Sequence, residues 1–273
     1  MGIEPGAMIL LMADVTRIAW SFRKAGQRFT ADLFLEAFLD RIGEAGTLVV
    51  PTFNYDLRPG EVFDVRRTPT ISGALGQAAL AHPAFARTAQ PLHSFAVAGK
   101  LQRTFLRSDD PSSFGARSSF ALLRENSFQL IAMEMTLEPA LTYVHFVEES
   151  MRVPYRKWKD IPIKYTDQRG FTIDRTFKLY AKNPGHVNDF KALEPVLIKG
   201  NAMLKDEVDG FNYLKADLER THRVIEEDIR ENGAKRIVKF SVKWWLRDLL
   251  RPLIRRSRPS RSALMIENAP GTY

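Results

Sequence analysis

The sequence predicts an α/β protein, a central sheet flanked by helices, on three observations. Short apolar runs bounded by turn residues recur at 7–12, 47–53, 95–98 and 128–133, as buried strands require. A segment with helical apolar spacing lies between the first two and gives a strand, helix, strand opening. Past residue 160 the pattern turns to alternation and then to a basic amphipathic stretch, which adds a β-hairpin excursion and a basic C-terminal helix.

The first helix starts at Thr30, a capping residue, presents Leu33, Phe34, Ala37, Phe38 and Ile42 inward, and stops at Gly43. A second starts at Ser72, runs through Ala74, Leu75, Ala78 and Ala79, and is halted by Pro83. Residues 161–165 and 171–180 alternate around the polar turn Thr166-Asp167-Gln168-Arg169-Gly170, the signature of a hairpin. Residues 216–231 form a charged amphipathic helix with Leu218, Val224, Ile225 and Ile229 inward, ended near Gly233, and 236–240 supply a last strand. No internal repeat or low-complexity linker interrupts this order.

A chain of 273 residues with 45% hydrophobic content suits one main domain. The division expected is 1–240 as that domain and 241–273 as an extension. Zero cysteines exclude a disulfide framework, a thiolate zinc site and a cysteine nucleophile, and fit a reducing compartment. No signal-peptide pattern or membrane-length apolar run is visible, so a cytoplasmic location is expected. The net charge of +8 is concentrated: residues 235–261 hold ten Lys and Arg against Asp248 alone, a local +9 that leaves the rest of the chain near −1. The body therefore lacks the basic footprint of a nucleic-acid enzyme. No His, Asp and Glu cluster has metal-ligand spacing, and no catalytic metal is expected.

Thr142-Tyr143-Val144-His145-Phe146-Val147-Glu148 puts an imidazole and a carboxylate three residues apart, downstream of Pro139 as a first-turn residue. The pairing suits proton transfer, and it equally suits a core histidine satisfied by a neighbour. Its context is a series of loop motifs: Pro51-Thr52-Phe53-Asn54-Tyr55-Asp56, Phe63-Asp64, Thr68-Pro69, Ser72-Gly73-Ala74-Leu75-Gly76, Arg87-Thr88, Pro91-Leu92-His93-Ser94-Phe95, Ser113-Phe114-Gly115, the His145 segment, and Val153-Pro154-Tyr155-Arg156. In this order the series resembles the aminoglycoside 3-N-acetyltransferase family, most closely its branch acylating nucleotide-linked amino sugars, over roughly residues 1–240.

The resemblance implies a mixed central sheet of the antibiotic N-acetyltransferase type, unrelated to the Gcn5-type fold. It also implies an acyl-CoA donor and an amine acceptor, a dTDP-amino-dideoxyhexose being favoured, in bacterial glycan or O-antigen biosynthesis. His145 is then the general base of a direct transfer and Glu148 its orienting carboxylate. Asn54, Tyr55 and Asp56 follow a strand end, where acceptor binding and a plain turn are the two readings. His93 reads equally as a cleft or a structural residue. Tyr155 and Arg156 suit the base or a phosphate of either nucleotide, with a solvated basic face alongside Arg152, Lys157 and Lys159 as the other reading, and Ser94, Ser113, Phe114 and Gly115 suit coenzyme A. His82, His186 and His222 read as surface or loop residues. Three segments depart from the family's pattern: Ala13-Asp14-Val15-Thr16 stands for a His-Ser-Ser segment, Ser118-Ser119 for Ser-Pro, and Ala132-Met133-Glu134 lacks the glycine usual after that strand. A true aminoglycoside-modifying enzyme and a catalytically silent sugar- or CoA-binding relative are the alternatives.

In the tail, Val242, Leu246, Leu249, Leu250 and Leu253 share one helical face with Trp245 at its flank, while Lys243, Arg247, Arg251 and Arg255 recur on another. A helix over 241–256, kinked at Pro252, could make peripheral contact with the inner face of a membrane or pack on protein. A homo-oligomer is equally compatible with the sequence.

Overall fold

The computed structural model describes residues 1–254. In chain order it forms β1 (Met8–Ala13), α1 (Val15–Lys24), α2 (Ala31–Ile42), β2 (Thr47–Pro51), β3 (Val62–Asp64), α3 (Gly73–Ala81), β4 (Ala86–Arg87), β5 (Phe95–Gly99), α4 (Gln102–Leu106), α5 (Ser119–Glu125) and β6 (Gln129–Met133). There follow α6 (Leu137–Ala140), α7 (Val144–Ser150), β7 (Arg156–Thr166), β8 (Thr172–Lys182), β9 (His186–Asn188), α8 (Leu193–Lys199), β10 (Met203–Val208), β11 (Phe211–Asp217), α9 (Leu218–Asn232), β12 (Val238–Phe240) and α10 (Val242–Ile254).

Seven strands make the central sheet in the order β10-β11-β6-β1-β2-β5-β4. Its middle, β6-β1-β2, is parallel, and the pairs outside it are antiparallel, so the sheet is mixed. Side chains alternate across it as the pleat demands. Leu10, Val49, Leu130 and Ala132 face one core, closed by Phe120 and Leu123 of α5, Val144 and Val147 of α7, and Leu218 and Ile225 of α9. Ile9, Leu11, Leu48, Val50 and Ile131 face the other, closed by Ile18 of α1, Leu35, Phe38 and Ile42 of α2, and Leu75 and Ala79 of α3. A smaller sheet, β3-β7-β8, packs around Phe63, Ile161, Ile163, Tyr165 and Phe177.

The caps account for several boundaries. Thr30 Oγ1 accepts the Leu33 N–H at 3.1 Å to start α2, and Asp217 accepts the Arg220 N–H at 2.9 Å to start α9, which ends at Gly233 in the left-handed region. Ser118 caps α5 with Ser119 at the first helical position, the place that favours proline. That explains how Ser-Ser replaces Ser-Pro without loss of the helix start.

Several expectations need correction. Leu33 and Ala37 of α2 are exposed; the inward stripe is Leu35, Phe38 and Ile42, at spacings of three and four. Ser72 does not cap α3 with its side chain, because its Oγ accepts the Phe53 N–H at 2.8 Å. Pro139 belongs to the separate helix α6, and α7 begins only at Val144. The hairpin strands run eleven residues each, longer than their alternating centres. His222 is buried in α9, where its Nδ1 lies 3.0 Å from the Tyr143 hydroxyl, and His186 lies in β9 with its ring stacked on Tyr155. Helix α1 and the β10-β11 hairpin carried no signal strong enough to predict them. Of the tail, α10 is present, while residues 255–256 of the expected helix lie outside the described residues, as do the side chains of Arg251, Pro252 and Leu253. No described helix is long and apolar enough to cross a membrane.

Candidate active site

The parallel strands β6, β1 and β2 end on one edge of the sheet, the edge at which open α/β sheets collect ligands. A cleft of ≈ 680 Å³ opens there, lined by Met12 at the end of β1, Phe53 and Tyr55 beyond β2, and Met135 beyond β6. Because β5 runs antiparallel to β2, the segment that precedes it brings His93 to the same edge. Helix α7 supplies His145, and the hairpin supplies Arg156 at its start and Tyr180, Ala181 and Lys182 at its end.

His145 and Glu148 are three apart on α7, and His145 Nδ1 lies 2.6 Å from Glu148 Oε2. Arg156 Nη2 lies 2.7 Å from the same oxygen and 2.7 Å from Nδ1. One ring nitrogen cannot donate to the carboxylate and accept from the guanidinium at once. The ionised Glu148 therefore takes both donors, and the proton resides on Nδ1. Nε2 has no hydrogen bond within the described residues and is not a buried orphan atom, so it is the ring nitrogen left for the cleft. Arg156 is itself fixed by Nη1, which donates to the Tyr180 carbonyl at 2.8 Å.

Burial, then the Arg156 charge, pushes the His145 imidazole down to about 4 against the pull of Glu148. Burial works to raise the Glu148 carboxyl, but His145 and Arg156 outweigh it and hold the group down to about 2. Glu148 Oε1 and the Tyr155 hydroxyl are both buried without a completed hydrogen bond, and their attraction adds a smaller downward pull. The pair is thus a neutral imidazole backed by a carboxylate at neutral pH. A base this weak does not strip a free ammonium. It is matched to a nitrogen that has begun to bond to a carbonyl carbon, whose proton is far more acidic.

His93 is buried, with its ring 5.0 Å from that of Phe53 and 4.7 Å from that of Phe114, and Phe114 in turn lies 5.5 Å from His145. Burial, then the His145 and Arg156 charges, pushes it down to about 3, so it too is neutral. Its Nδ1 has no partner among the described residues.

The remaining expected residues divide. Tyr55 and Phe114 line the cleft, Tyr55 with 58% of its surface exposed. Asn54 does not reach it: its amide donates to the Pro69 carbonyl at 2.7 Å and its Oδ1 accepts from Arg87 at 2.7 Å. Ser94 is consumed likewise, since its hydroxyl donates to the Thr52 carbonyl at 2.7 Å and accepts Arg87 Nε at 2.9 Å. Ser113 is buried off the cleft wall, and Asp56 is exposed outside it. Gly115 has a structural reason to be glycine, because a side chain there would collide with the Asp110 carboxylate. Tyr155 sits behind Glu148, not in the cleft. The shared cause for Asn54 and Ser94 is Arg87, a buried hub that also donates to the carbonyls of Thr68 and Thr52 and lies over the Phe63 ring. It knits the loops after β2 and before β5 into one wall. Its signal was the Arg87-Thr88 motif, a cation in an otherwise apolar stretch. Lys182, 34 positions after Glu148 in sequence, gave none. The described residues contain no group of three or more His, Asp or Glu that could hold a metal.

A mixed α/β sheet presenting an imidazole, carboxylate and guanidinium at the ends of its parallel strands defines a transferase able to manage the proton of an amine nucleophile. The chain belongs to the aminoglycoside 3-N-acetyltransferase family, whose model matches residues 18–245, and it is an acyl-CoA-dependent N-acetyltransferase of that family. A search of curated protein sequences returns no match. Among solved structures it is similar to the YokD protein from Bacillus subtilis, with a TM-score of 0.70, 18% identity, and coverage of 86% of this chain and 90% of that one. The coenzyme A binary complex of AAC-IIIb follows the same path with a TM-score of 0.69 at 17% identity, covering 85% of this chain and 92% of the other. The sisomicin complex of AAC-VIa gives 0.68 at 16% identity, with 85% and 93% covered. At these identities the likeness is one of fold.

Proposed function

We propose that the protein acylates the amine of a nucleotide-linked amino sugar, a dTDP-amino-dideoxyhexose being favoured, from acyl-CoA and by direct transfer. His145 Nε2 accepts the proton from the attacking nitrogen, and Glu148 stabilises the imidazolium as it forms. Arg156 holds Glu148 ionised, and neutral His93 offers a ring nitrogen to the substrates. The observation that carries the reading is the charge of the cleft wall. Arg156 on that wall is matched by Glu148 at 2.7 Å, but Lys182 has no carboxylate within ion-pair distance among the described residues. A polycationic acceptor would meet like charge there, whereas a phosphate-bearing one meets an unneutralised ammonium.

One feature favours aminoglycosides as the second reading. A depression of ≈ 540 Å³ that shares Met135 with the cleft is walled by Glu134, Asp206 and Glu207 with Lys205. Of its acids, Glu134 bonds Arg17 at 2.7 Å and the Asn212 N–H at 2.6 Å and Asp206 accepts the Tyr213 hydroxyl at 3.2 Å, while Lys205 is turned to Glu194 at 2.6 Å.

Thiol release from acetyl-CoA, measured against dTDP-, UDP- and GDP-amino sugars and a set of aminoglycosides, separates these readings. Turnover is expected with nucleotide sugars alone; turnover with aminoglycosides alone would overturn the assignment. His145→Asn should lower the rate by about 10²-fold or more with the unfolding temperature unchanged. The α10 extension, we further propose, rests on an anionic membrane surface at the cytoplasmic face.

A further inference from the structure

Beside the cleft lies a second depression of ≈ 510 Å³, within the ordinary range of about 300–1,000 Å³ for small-molecule sites. It is bounded by β9, the end of β8, and α10. The two hollows adjoin, since both are lined by Glu138, Lys182 and Asn188. We propose that this depression seats a nucleoside diphosphate, with its phosphates on Lys182, Lys239 and Arg247 and its base against the Arg247 and Trp244 pair.

The argument starts from Lys182. Burial, then the Arg156 charge, pushes its ammonium down to about 8, and its nearest polar partner is the neutral Asn188 Oδ1 at 2.8 Å. Glu148, Glu138 and Asp248 attract this ammonium only from beyond contact distance, so it is a desolvated cation without a touching carboxylate, and an anion entering from either hollow would relieve it. Across the depression Lys239 and Arg247 reach solvent, and the Arg247 guanidinium lies over the Trp244 ring, 3.2 Å from its centroid. Arginine stacked on an indole is a platform on which a heterocyclic base can lie while the guanidinium remains free to bond phosphate. Two of the three cations already have an acid that a phosphate would compete with: Lys239 holds Asp189 at 2.6 Å, and Arg247 lies 3.7 Å from Asp248, which also accepts the Gly185 N–H at 3.2 Å and so ties α10 to the loop before β9. Lys182 stands on the boundary, so a ligand with its diphosphate there extends an attached sugar toward His145 and its base toward α10. The helix that ends the described chain thereby becomes part of the substrate site.

This seat rests on the nucleotide-sugar reading for its occupant, although the pyrophosphate of coenzyme A has the same chemistry. Isothermal titration of the full chain with dTDP and, separately, with coenzyme A distinguishes the two, using wild type, Trp244→Ala, Arg247→Ala and Arg247→Lys. The expected result is that dTDP binding weakens at least about tenfold in the alanine variants, less in Arg247→Lys, and that coenzyme A binding is unchanged. Loss of coenzyme A affinity alone supports the seat and assigns it to the donor. If both ligands bind every variant as they bind wild type, the seat is overturned, even where dTDP-amino sugars are turned over and the proposed function stands.

Discussion

Adjacent carboxylates on one short helix show how much a residue's neighbours decide. Glu148 turns to Arg156 and His145 and is held down to about 2, while Glu149 turns to Ser112, whose Oγ lies 2.7 and 2.8 Å from its two oxygens. Burial, with the nearby Asp110 charge adding to it and Ser112 opposing it, raises Glu149 to about 7. A group whose folded pKa is raised contributes stability below its unfolded value near 4.5, and that contribution is lost as pH rises through about 7. Glu149→Gln should therefore stabilise the protein at pH 8 by about 1–3 kcal/mol, from 1.36 kcal/mol per pKa unit discounted for water penetration, and by much less at pH 5. Urea unfolding at the two pH values checks this; an equal effect at both would remove the assignment. The spacing of His145 and Glu148 was legible because both lie on one helix turn. The different fate of Glu149 was not, because Ser112 is 37 positions away.

Elements were legible where one face is apolar and the ends are capped. Helices α2 and α9 have both properties, as does the turn at 166–170, and each appears where the pattern puts it. Strand β10 sits at the sheet edge with Leu204, Lys205, Asp206 and Glu207 exposed, so it lacks the burial signature of a strand while its charges discourage edge pairing. Glu134 holds a backbone φ of 54°, where glycine is the usual choice, and does so with its side chain bound to Arg17 and its N–H donated to the Asn212 carbonyl at 2.9 Å. Helix α10 docks through Asp248 and through Trp245 beside Gly185, which leaves Val242, Leu246, Leu249 and Leu250 each at least half exposed. An unburied apolar row within a strongly basic segment fits one environment well, the interface of an anionic bilayer. Sedimentation with phosphatidylserine-containing vesicles should recover the full chain at low salt, less at high salt, and little of a Leu246→Glu/Leu250→Glu variant. Equal recovery of wild type and variant would refute the contact, and concentration-dependent dimerisation abolished by the same pair would assign the face to a second copy instead.

At the scale of the whole molecule, three imidazoles pack against one of the two cores, the one closed by α5, α7 and α9, with no carboxylate strong enough to keep them charged. His93 is pushed down to about 3, and His145 and His222 to about 4, in each case by burial first. For such a base the folded state binds fewer protons than the unfolded chain between the folded pKa and about 6.5. Its contribution is complete above about 6.5 and is lost as pH falls through the folded value. Glu148, lowered to about 2, has the same sign over a more acidic window, from about 4.5 downward. Glu149 opposes them, binding a proton in the folded state from about 4.5 to about 7. Near pH 5 the balance is a net uptake of about two protons on unfolding, which corresponds to a slope of about 3 kcal/mol per pH unit. Urea denaturation from pH 7.5 to 4.5 should show stability falling steeply below about pH 6.5. His222→Gln, which keeps an amide within reach of Tyr143 but removes one titrating ring, should make that fall shallower by about a third to a half. A stability that stays level from pH 7.5 to 5 would mean that these imidazoles are solvated in the folded protein, and the neutral state of His145 on which proton acceptance depends would fall with it.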